Sequence, residues 1–459
     1  MTRVLLINPP SPQRIGTPLL GLQYLASALL LAGCDVKVID AAARCFDKEH
    51  AWIIAEADAF DPQVVGFSLW TSWVTEAYQL AQLMKGRYPL LVAGGPHATA
   101  CPDETLLQGF DVAVIGEGEQ TLVRLAAFMR GSEPLEDVPG IRYRAADGSI
   151  RHGPDGSPIS DLDTLPFPLQ SQHLFNPRWY SDSDTEILPG GIITSRGCPS
   201  SCIFCANYVT GRAVRFRSAA SVVIELNAAH RRSGMTFFPF WDDALTADSG
   251  RISELCTAFR NDLEFPLLWS ASSKVTMVQP DMLCMLKEAG LSAIIFGAES
   301  GDDDILSAVG KGITTAGVVK ALEWAKAAGL MTVCNFMLGF PQDTPESLRR
   351  TLAFMERIAP LVDSFSAMGV VVPLPGTPLY NRFHEQYGFS DWWLRKYNPG
   401  FISPPPIEDF EKFADYYCGD ANLERNFFCY SDESRRLIME CLRFKGEHNL
   451  KYMGMGKRQ

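Results

Sequence analysis

The 459-residue sequence lacks features that would assign it to several common classes of protein. Its net charge is −12 at pH 7, and it has no basic patch that would point to a nucleic-acid backbone as the main partner. Its most apolar run, from Leu19 to Cys34, contains Gln23 and is too short to span a bilayer. No signal peptide is recognisable. We therefore expect a cytoplasmic protein with neither a nucleic-acid partner nor a membrane partner.

Close cysteine pairs are also lacking over most of the chain. Nine of the twelve cysteines are scattered, at positions 34, 45, 101, 256, 284, 334, 418, 429 and 441. This distribution predicts reduced thiols and no disulfide framework. The last three are too widely spaced to predict a second metal cluster. The composition, 47% hydrophobic and 20% charged, is typical of a globular chain with two or three domains.

The other three cysteines, Cys198, Cys202 and Cys205, lie within one short segment. An apolar stretch runs into this segment, and Gly197 and Pro199 prevent regular structure from continuing through it. The spacing allows three thiolates to converge on one inorganic centre. A structural zinc site needs four ligands, whereas a four-iron cluster held by three cysteines leaves one iron open to a small molecule. Zinc or unreactive thiols are the alternative interpretation.

Residues 1–145 alternate between short apolar strands and helical segments. The predicted strands are Arg3–Asn8, Val36–Asp40, Val64–Ser68, Leu90–Gly95 and Val112–Gly116. This pattern predicts a doubly wound, Rossmann-like parallel sheet, which binds ligands beyond the carboxyl ends of its strands. The candidate binding residues at those ends are Asn8, Ser68, Thr71, Gly94, Gly95, His97, Gly116, Glu117 and Gly118. By themselves they would equally fit a phosphate-type ligand or an empty scaffold.

Residues 146–185 are rich in turn formers and predict a linker that begins with a hairpin. Residues 186–385 contain six strand-like runs separated by helices, which predict a partial (β/α)6 barrel with its chemistry at the carboxyl ends of the strands. The predicted strands are Gly191–Ser195, Thr236–Trp241, Leu268–Ser272, Ala293–Gly297, Thr332–Leu338 and Ser366–Val372. Residues 386–459 form an aromatic, mostly helical extension, which either caps the barrel or packs as an ordinary appended domain.

The segment Cys198-x3-Cys202-x-Phe204-Cys205 resembles the signature of the radical S-adenosylmethionine (SAM) enzymes. A preceding Rossmann-like half with Asn-Pro-Pro, Gly-Gly-Pro-His and Gly-Glu-Gly-Glu loops makes the chain similar to the cobalamin-dependent members. The resemblance implies a [4Fe-4S] cluster on the three cysteines, SAM on its open iron, and cobalamin between the two domains. It also implies an electron donor such as flavodoxin or ferredoxin. The Asp-x-His-x-x-Gly motif is absent, so the resemblance implies no histidine ligand on the lower face of cobalt. His97 then either contacts the cofactor or is structural.

The same resemblance implies the residues that contact SAM. They are Phe204, Asp242, Asp243, Ser270, Ser272, Lys274, Glu299 and Gly339. One of the two aspartates would meet the methionyl amine, although capping of the next helix is an alternative. Lys274 stands where the family often has arginine. Asp302, Asp303 and Asp304 predict a helix start and no metal site.

The function implied is methylation of an unactivated carbon in a small metabolite or natural-product intermediate. A 5′-deoxyadenosyl radical would take a hydrogen atom from the substrate, and methylcobalamin would supply the methyl group. The alternative is a cyclisation, oxidation or ring rearrangement with the same cofactors. A non-catalytic cobalamin or iron–sulfur sensor is a third hypothesis, which the candidate SAM residues at the strand ends disfavour.

Overall fold

The computed structural model describes residues 1–11, 16–44, 50–180, 190–365, 369–395, 423 and 425–452, with side chains as far as residue 450. Predictions that concern Cys45, Cys418, Tyr397, Phe401 and Tyr416–Tyr417 lie outside these residues. The described chain forms two large sheets, each with its own helices. None of the described helices is both long enough and apolar enough to span a bilayer.

The first sheet has seven strands in the order β2-β1-β3-β4-β5-β6-β7. The strands are β1 Arg3–Asn8, β2 Asp35–Asp40, β3 Val64–Ser68, β4 Leu91–Gly94, β5 Val112–Val114, β6 Ile141–Arg144 and β7 Ile150–His152. The first five are parallel, which confirms the Rossmann-like prediction. The last two are antiparallel, so the hairpin predicted at the start of the linker extends this sheet past residue 145.

Helices cover both faces of this sheet. They are α1 Leu20–Leu31, α2 His50–Phe60, α3 Val74–Met84, α4 Pro96–Ala100, α5 Pro102–Leu107 and α6 Glu119–Met129. Leu5 and Ile7 of β1 point into one core, and Val4 and Leu6 point into the other. Because the strands are buried on both faces, they read in the sequence as continuous apolar runs.

The second sheet has five parallel strands in the order β10-β11-β12-β13-β14. They are β10 Phe237–Phe240, β11 Leu268–Ser273, β12 Leu291–Glu299, β13 Met331–Phe336 and β14 Ser364–Phe365. The helices around it are α7 Ala219–Ser233, α8 Ser249–Asp262, α9 Pro280–Glu288, α10 Asp303–Ala308, α11 Thr315–Ala327 and α12 Pro345–Ile358. On β11 to β13 the residues facing the helices are buried, and the alternate residues are half-buried on the inner face of the open barrel.

The predicted first strand of the barrel, Gly191–Ser195, is not a strand over its length. Ile192 makes a single parallel bridge to Phe240. Two residues further on, the backbone amide of Thr194 donates to the Asp242 carboxylate, at 3.1 Å from Oδ1. The chain then leaves the sheet, and β8 (Ser195–Arg196) pairs antiparallel with β9 (Arg215–Phe216).

The sixth barrel strand also differs from the prediction. Its paired residues are Ser364 and Phe365, which precede the predicted start at Ser366. Residues 366–368 lie outside the described chain. Val370 then forms one parallel bridge with Leu338. Among the described residues, the Ile192 bridge lies outside β10 at one edge of the sheet, whereas the Val370 bridge continues the pairing of β13 with β14 towards their carboxyl ends.

The region beyond residue 386 packs in two places. Trp392, Trp393, Phe427 and Phe428 join a core that also contains Phe67 of the first sheet. The last helix, α14 (Asp432–Tyr452), packs against α12 and β14 at the far edge of the barrel. One more helix, α13 (Pro378–Tyr387), precedes this region. The extension thus contacts both halves of the molecule.

Candidate active site

The three cysteines lie on the loop that joins β8 to β9. Gly197 has a φ of +97°, and a Cβ there would lie 2.3 Å from the carbonyl oxygen of Ala213, so the loop needs glycine at this position. The Cys205 amide donates to the Cys202 carbonyl at 3.3 Å, and the Cys198 amide donates to the Gly211 carbonyl at 3.1 Å. Burial raises the pKa of the Cys205 thiol to about 11, and the neighbouring Cys202 and Cys198 add to the rise. The three thiols share one loop held by these backbone bonds, and this donor set fits a cluster with three protein ligands.

Two lysines place positive charge beside this loop. Burial raises the pKa of the Cys202 thiol, and the ammonium groups of Lys311 and Lys274 oppose that rise. Lys274 Nζ also lies 3.4 Å from the hydroxyl of Ser200. Lys274 was predicted from the sequence, whereas Lys311 was not. Cations at this position favour thiolates and an anionic cluster.

Lys311 forms an ion pair with Glu299 at the end of β12. Lys311 Nζ lies 2.6 Å from Glu299 Oε1, and their side chains are 12% and 7% exposed. A Cβ on Gly297 would lie 2.5 Å from both of these atoms, so a side chain there would displace the pair from this position. The second carboxylate oxygen of Glu299 is buried, and no described residue donates a hydrogen bond to it. An unsatisfied buried acceptor beside the cysteine loop fits a ligand with an ammonium or hydroxyl group.

The two predicted aspartates lie in different environments. Asp242 is buried, and its Oδ1 accepts hydrogen bonds from Thr194 Oγ1 at 2.8 Å and Ser195 Oγ at 2.5 Å. Its carboxylate therefore orients the segment that enters the cysteine loop. Asp243 lines the cavity described below, and its Oδ2 accepts from the Gly197 amide at 3.2 Å and from Thr210 Oγ1 at 2.9 Å.

The other predicted SAM residues surround the same end of the barrel. Ser270 and Ser272 are half-buried on the inner face of β11. Gly339 has a φ of +79°, and its amide donates to Asp343 at 3.0 Å. Phe204 lies against Phe340, with ring centroids 5.5 Å apart.

Two further residues lie at this end of the barrel: Asn335, which the sequence did not predict, and Tyr430, which the sequence indicated only as part of the aromatic extension. Asn335 lies on the inner face of β13, next to Gly297 of β12, and its Oδ1 is buried without a hydrogen bond from any described residue. Side chains alternate between the two faces of a strand, so the position of Asn335 between the apolar residues Cys334 and Phe336 is a sequence signal that it faces the inside of the barrel. Tyr430 donates its hydroxyl to the Gly339 carbonyl at 2.7 Å from 91 residues away, and no local sequence signal indicates such a contact.

A cavity of about 350 Å³ lies between the two halves of the molecule. It occupies the carboxyl ends of β1, β3, β4 and β5 beneath α1 and α6. From the first half it is lined by the predicted residues Ser68, Gly94, Gly95, Gly116, Glu117 and Gly118, and by Leu6, Leu25, Trp70 and Val92 among others. From the barrel it is lined by Ile193, Ser195, Arg196, Val209, Thr210, Trp241 and Asp243.

Glycines keep this cavity open. A Cβ on Gly118 would lie 3.3 Å from Leu25 Cδ2, and a Cβ on Gly95 would lie 3.0 Å from the Leu69 carbonyl oxygen. Gly95 also has a φ of +93°, which side chains disfavour. An apolar cavity lined by backbone at the carboxyl ends of a doubly wound sheet fits cobalamin, a large cofactor that must approach the backbone closely.

Three residues predicted to bind cobalamin, Asn8, Thr71 and His97, do not line the cavity. Asn8 is fully buried and donates to Asp40 at 2.8 Å. His97 is fully buried, with Nδ1 3.1 Å from Thr71 Oγ1 and Nε2 2.9 Å from the Tyr78 hydroxyl. Both ring nitrogens of His97 are thus engaged within the first half. The structural interpretation of His97, which the sequence left open, matches this arrangement.

Glu117 lines the cavity, but its carboxylate is already committed. It accepts hydrogen bonds from Arg196, from Arg215 and from the Ile159 amide, the last at 2.6 Å. Burial alone would raise the pKa of Glu117, but the bond from Arg215 and the charge of Arg196 outweigh it and hold this pKa below its ordinary value. Glu117 is therefore a charged link between the two halves.

Family models match both halves of the chain. The B12 binding domain model matches residues 16–126, and the radical SAM superfamily model matches residues 192–355. An uncharacterized methyltransferase of Pyrococcus horikoshii is 32% identical over 389 residues, which cover 82% of each chain. An anaerobic magnesium-protoporphyrin IX monomethyl ester cyclase of Rubrivivax gelatinosus is 26% identical and covers 95% of this chain and 80% of its own.

A solved structure agrees with this assignment. The cobalamin-dependent SAM radical enzyme OxsB, with aqua-cobalamin bound, superposes with a TM-score of 0.75. The match covers 96% of this chain and 72% of OxsB at 16% identity, so it shows a shared fold. Together the fold and the site define a radical SAM enzyme that carries a cobalamin-binding domain. The chain belongs to the cobalamin-dependent radical SAM family, whose cofactors are a [4Fe-4S] cluster, SAM and cobalamin.

Proposed function

We propose that the enzyme methylates an unactivated carbon of a small metabolite or natural-product intermediate. The observation that carries this proposal is the shared cavity, because the glycine loops of the sheet and the base of the cysteine loop line one continuous space. When bound, cobalamin supplies the methyl group, and the cluster with SAM supplies a 5′-deoxyadenosyl radical. Both chemistries can therefore reach one substrate.

The roles of the protein's own residues follow from their contacts. Cys198, Cys202 and Cys205 hold the cluster. Glu299, whose Oε2 is unsatisfied, binds the methionyl amine or a ribose hydroxyl of SAM. Lys311 and Lys274 attract the methionyl carboxylate, since both ammonium groups lie near Cys202. These assignments extend the sequence prediction by one residue, Lys311.

Other predicted residues act at the edge of the SAM site. Asp243, rather than the engaged Asp242, faces the cavity and can meet a cationic group there. Ser270 and Ser272 contribute hydroxyl groups on the inner face of the barrel. Phe204 and Gly339 border the adenine. Ser68, Gly94, Gly95, Gly116 and Gly118 form the cobalamin side of the cavity.

Several coarser expectations remain part of the proposal. We place the cobalamin domain at residues 1–145, the linker, whose first hairpin extends that domain's sheet to residue 152, at 146–185, the barrel at 186–385 and the extension at 386–459. A donor such as flavodoxin or ferredoxin supplies the electron to the cluster. We place the enzyme in the cytoplasm, where such donors are reduced.

A second function is favoured by one observation. A cyclase relative matches 95% of this chain at 26% identity, which favours ring formation without methyl transfer as the second candidate for the same cofactors. One experiment separates the two. The protein is reconstituted anaerobically with its cluster, cobalamin, a low-potential reductant and SAM, and both SAM products are quantified by mass spectrometry. S-adenosylhomocysteine that depends on cobalamin supports the methyltransferase. With the cluster intact, formation of 5′-deoxyadenosine alone supports the cyclase. The absence of both products would contradict radical SAM activity.

A further inference from the structure

A group of buried charges joins the two halves of the molecule beside the cavity. Arg196 Nη1 lies 3.1 Å from Glu117 Oε1, and Arg196 Nη2 lies 2.6 Å from Glu119 Oε1. Arg215 contacts both oxygens of Glu117, at 2.8 and 3.0 Å. The four side chains are between 5% and 11% exposed. We call Glu117, Glu119, Arg196 and Arg215 the interdomain ion group.

The two arginines occupy a special position on the cysteine loop. Arg196 on β8 pairs directly with Arg215 on β9, and the loop that carries the cysteines connects these two strands. Glu117 therefore bonds to both stems of that loop. Arg215 also donates to the carbonyls of Ile159 at 2.6 Å and Thr210 at 2.8 Å. The place where the cysteine loop begins and ends is thus tied to the Gly116–Gly118 loop of the cobalamin domain.

Such a group is poorly explained by stability alone. Burying four charges costs desolvation energy that their mutual attraction only partly returns, so buried ion pairs contribute little net stability. What they do provide is one defined geometry, because a guanidinium and a carboxylate meet in few orientations. The guanidinium of Arg196 also lies 5.0 Å from the ring of Tyr24 on α1, which lines the same cavity.

We infer that the interdomain ion group is a positioning device that sets the distance between the cluster and the cobalamin cavity. This inference rests on the proposed function. Glu117 then acts through Arg196 and Arg215 and is no cobalamin ligand, which replaces its predicted role. Loosening the group leaves each cofactor site intact but misplaces one relative to the other. Transfer between sites is sensitive to displacements of about 1 Å.

The test compares Glu117→Gln with Glu225→Gln. Glu225 forms a buried pair with Arg217, 2.5 Å apart, inside the barrel half, and so it controls for the cost of breaking a buried ion pair. In Glu117→Gln we expect full cluster content, but a ratio of S-adenosylhomocysteine to 5′-deoxyadenosine about tenfold lower than in the wild type. In Glu225→Gln this ratio stays at the wild-type value. Arg215→Lys keeps the positive charge but loses the two-point contact of the guanidinium with Glu117. This variant replaces Glu117→Gln in the test if Glu117→Gln does not fold.

A second readout needs no cofactor turnover. Calorimetric unfolding of the cofactor-free protein should separate into two transitions in Glu117→Gln, whereas Glu225→Gln should shift the transition without splitting it. An unchanged product ratio in both variants would overturn the inference. So would a Glu117→Gln protein that loses cobalamin binding while unfolding as one unit, because that result makes Glu117 a ligand. Absence of S-adenosylhomocysteine in the wild type would instead contradict the methyltransferase function, while the calorimetric comparison would still test the ion group.

Discussion

The two halves of the active site are built by opposite means. The proposed cobalamin side is defined by missing side chains, since Gly94, Gly95, Gly116 and Gly118 leave the space and apolar residues line it. The proposed SAM side is defined by charged side chains held in buried contacts, chiefly Glu299 with Lys311. A bulky corrinoid is recognised largely by shape, whereas the charged methionyl part of SAM is recognised by charge. Substitutions should therefore act differently in the two halves.

The largest effect is expected at the cluster. Cys202→Ala removes one of three ligands, and we expect loss of the cluster and of SAM cleavage while cobalamin binding persists. Iron and sulfide content and 5′-deoxyadenosine formation measure the loss. Cys284→Ala, at an exposed cysteine outside the loop, is the matched control and should keep both. Cluster retention in Cys202→Ala would contradict the ligand assignment.

The ion pair of the SAM side gives the next effect. Lys311→Met leaves the Glu299 carboxylate buried without its partner, which costs about 2–5 kcal/mol. Burial alone would lower the pKa of Lys311, but the charge of Glu299 raises it, so the lost group is a cation. We expect the Kd for SAM, followed by the EPR spectrum of the reduced cluster, to rise at least about thirtyfold. Lys320→Met, at an exposed lysine, should bind SAM normally. If Lys311→Met and the wild type had equal Kd values for SAM, Lys311 would not belong to the SAM site.

A substitution that fills part of the cavity tests the proposed cobalamin side. A valine at position 118 would occupy space next to Leu25, and overpacking of this kind costs about 1–3 kcal/mol. Gly118→Val should therefore weaken cobalamin binding about tenfold to hundredfold, with SAM binding and cluster content unchanged. Equilibrium dialysis measures the affinity for cobalamin. SAM binding and cluster content, measured on the same preparation, are the internal controls. A simultaneous loss of SAM binding would mean that the two halves are not built independently.

The sequence predicted the parts of this site that depend on local pattern. The cysteine spacing, the strand alternation and the glycine loops all follow from short-range rules, and the parallel sheets that they predict are observed. Long-range contacts decide the rest. Thr194 leaves the predicted strand because Asp242 takes its amide, and His97, whose role the sequence left open, does not line the cavity because Tyr78 and Thr71 engage its ring. No local pattern encodes those partners.

The smallest effect is expected from Tyr430, which belongs to neither side of the comparison. Its hydroxyl donates to the Gly339 carbonyl, and a Cβ on Gly339 would lie 2.5 Å from that hydroxyl oxygen, so the C-terminal extension lies directly against the loop that borders the adenine. Tyr430→Phe removes one hydrogen bond worth about 0.5–1.5 kcal/mol. We expect the KM for SAM to rise about threefold to tenfold, with kcat nearly unchanged, because the contact positions the loop before chemistry begins. Tyr387→Phe, in the same aromatic region, is the control. If kcat falls and KM does not, the extension acts on the substrate and not on the SAM loop.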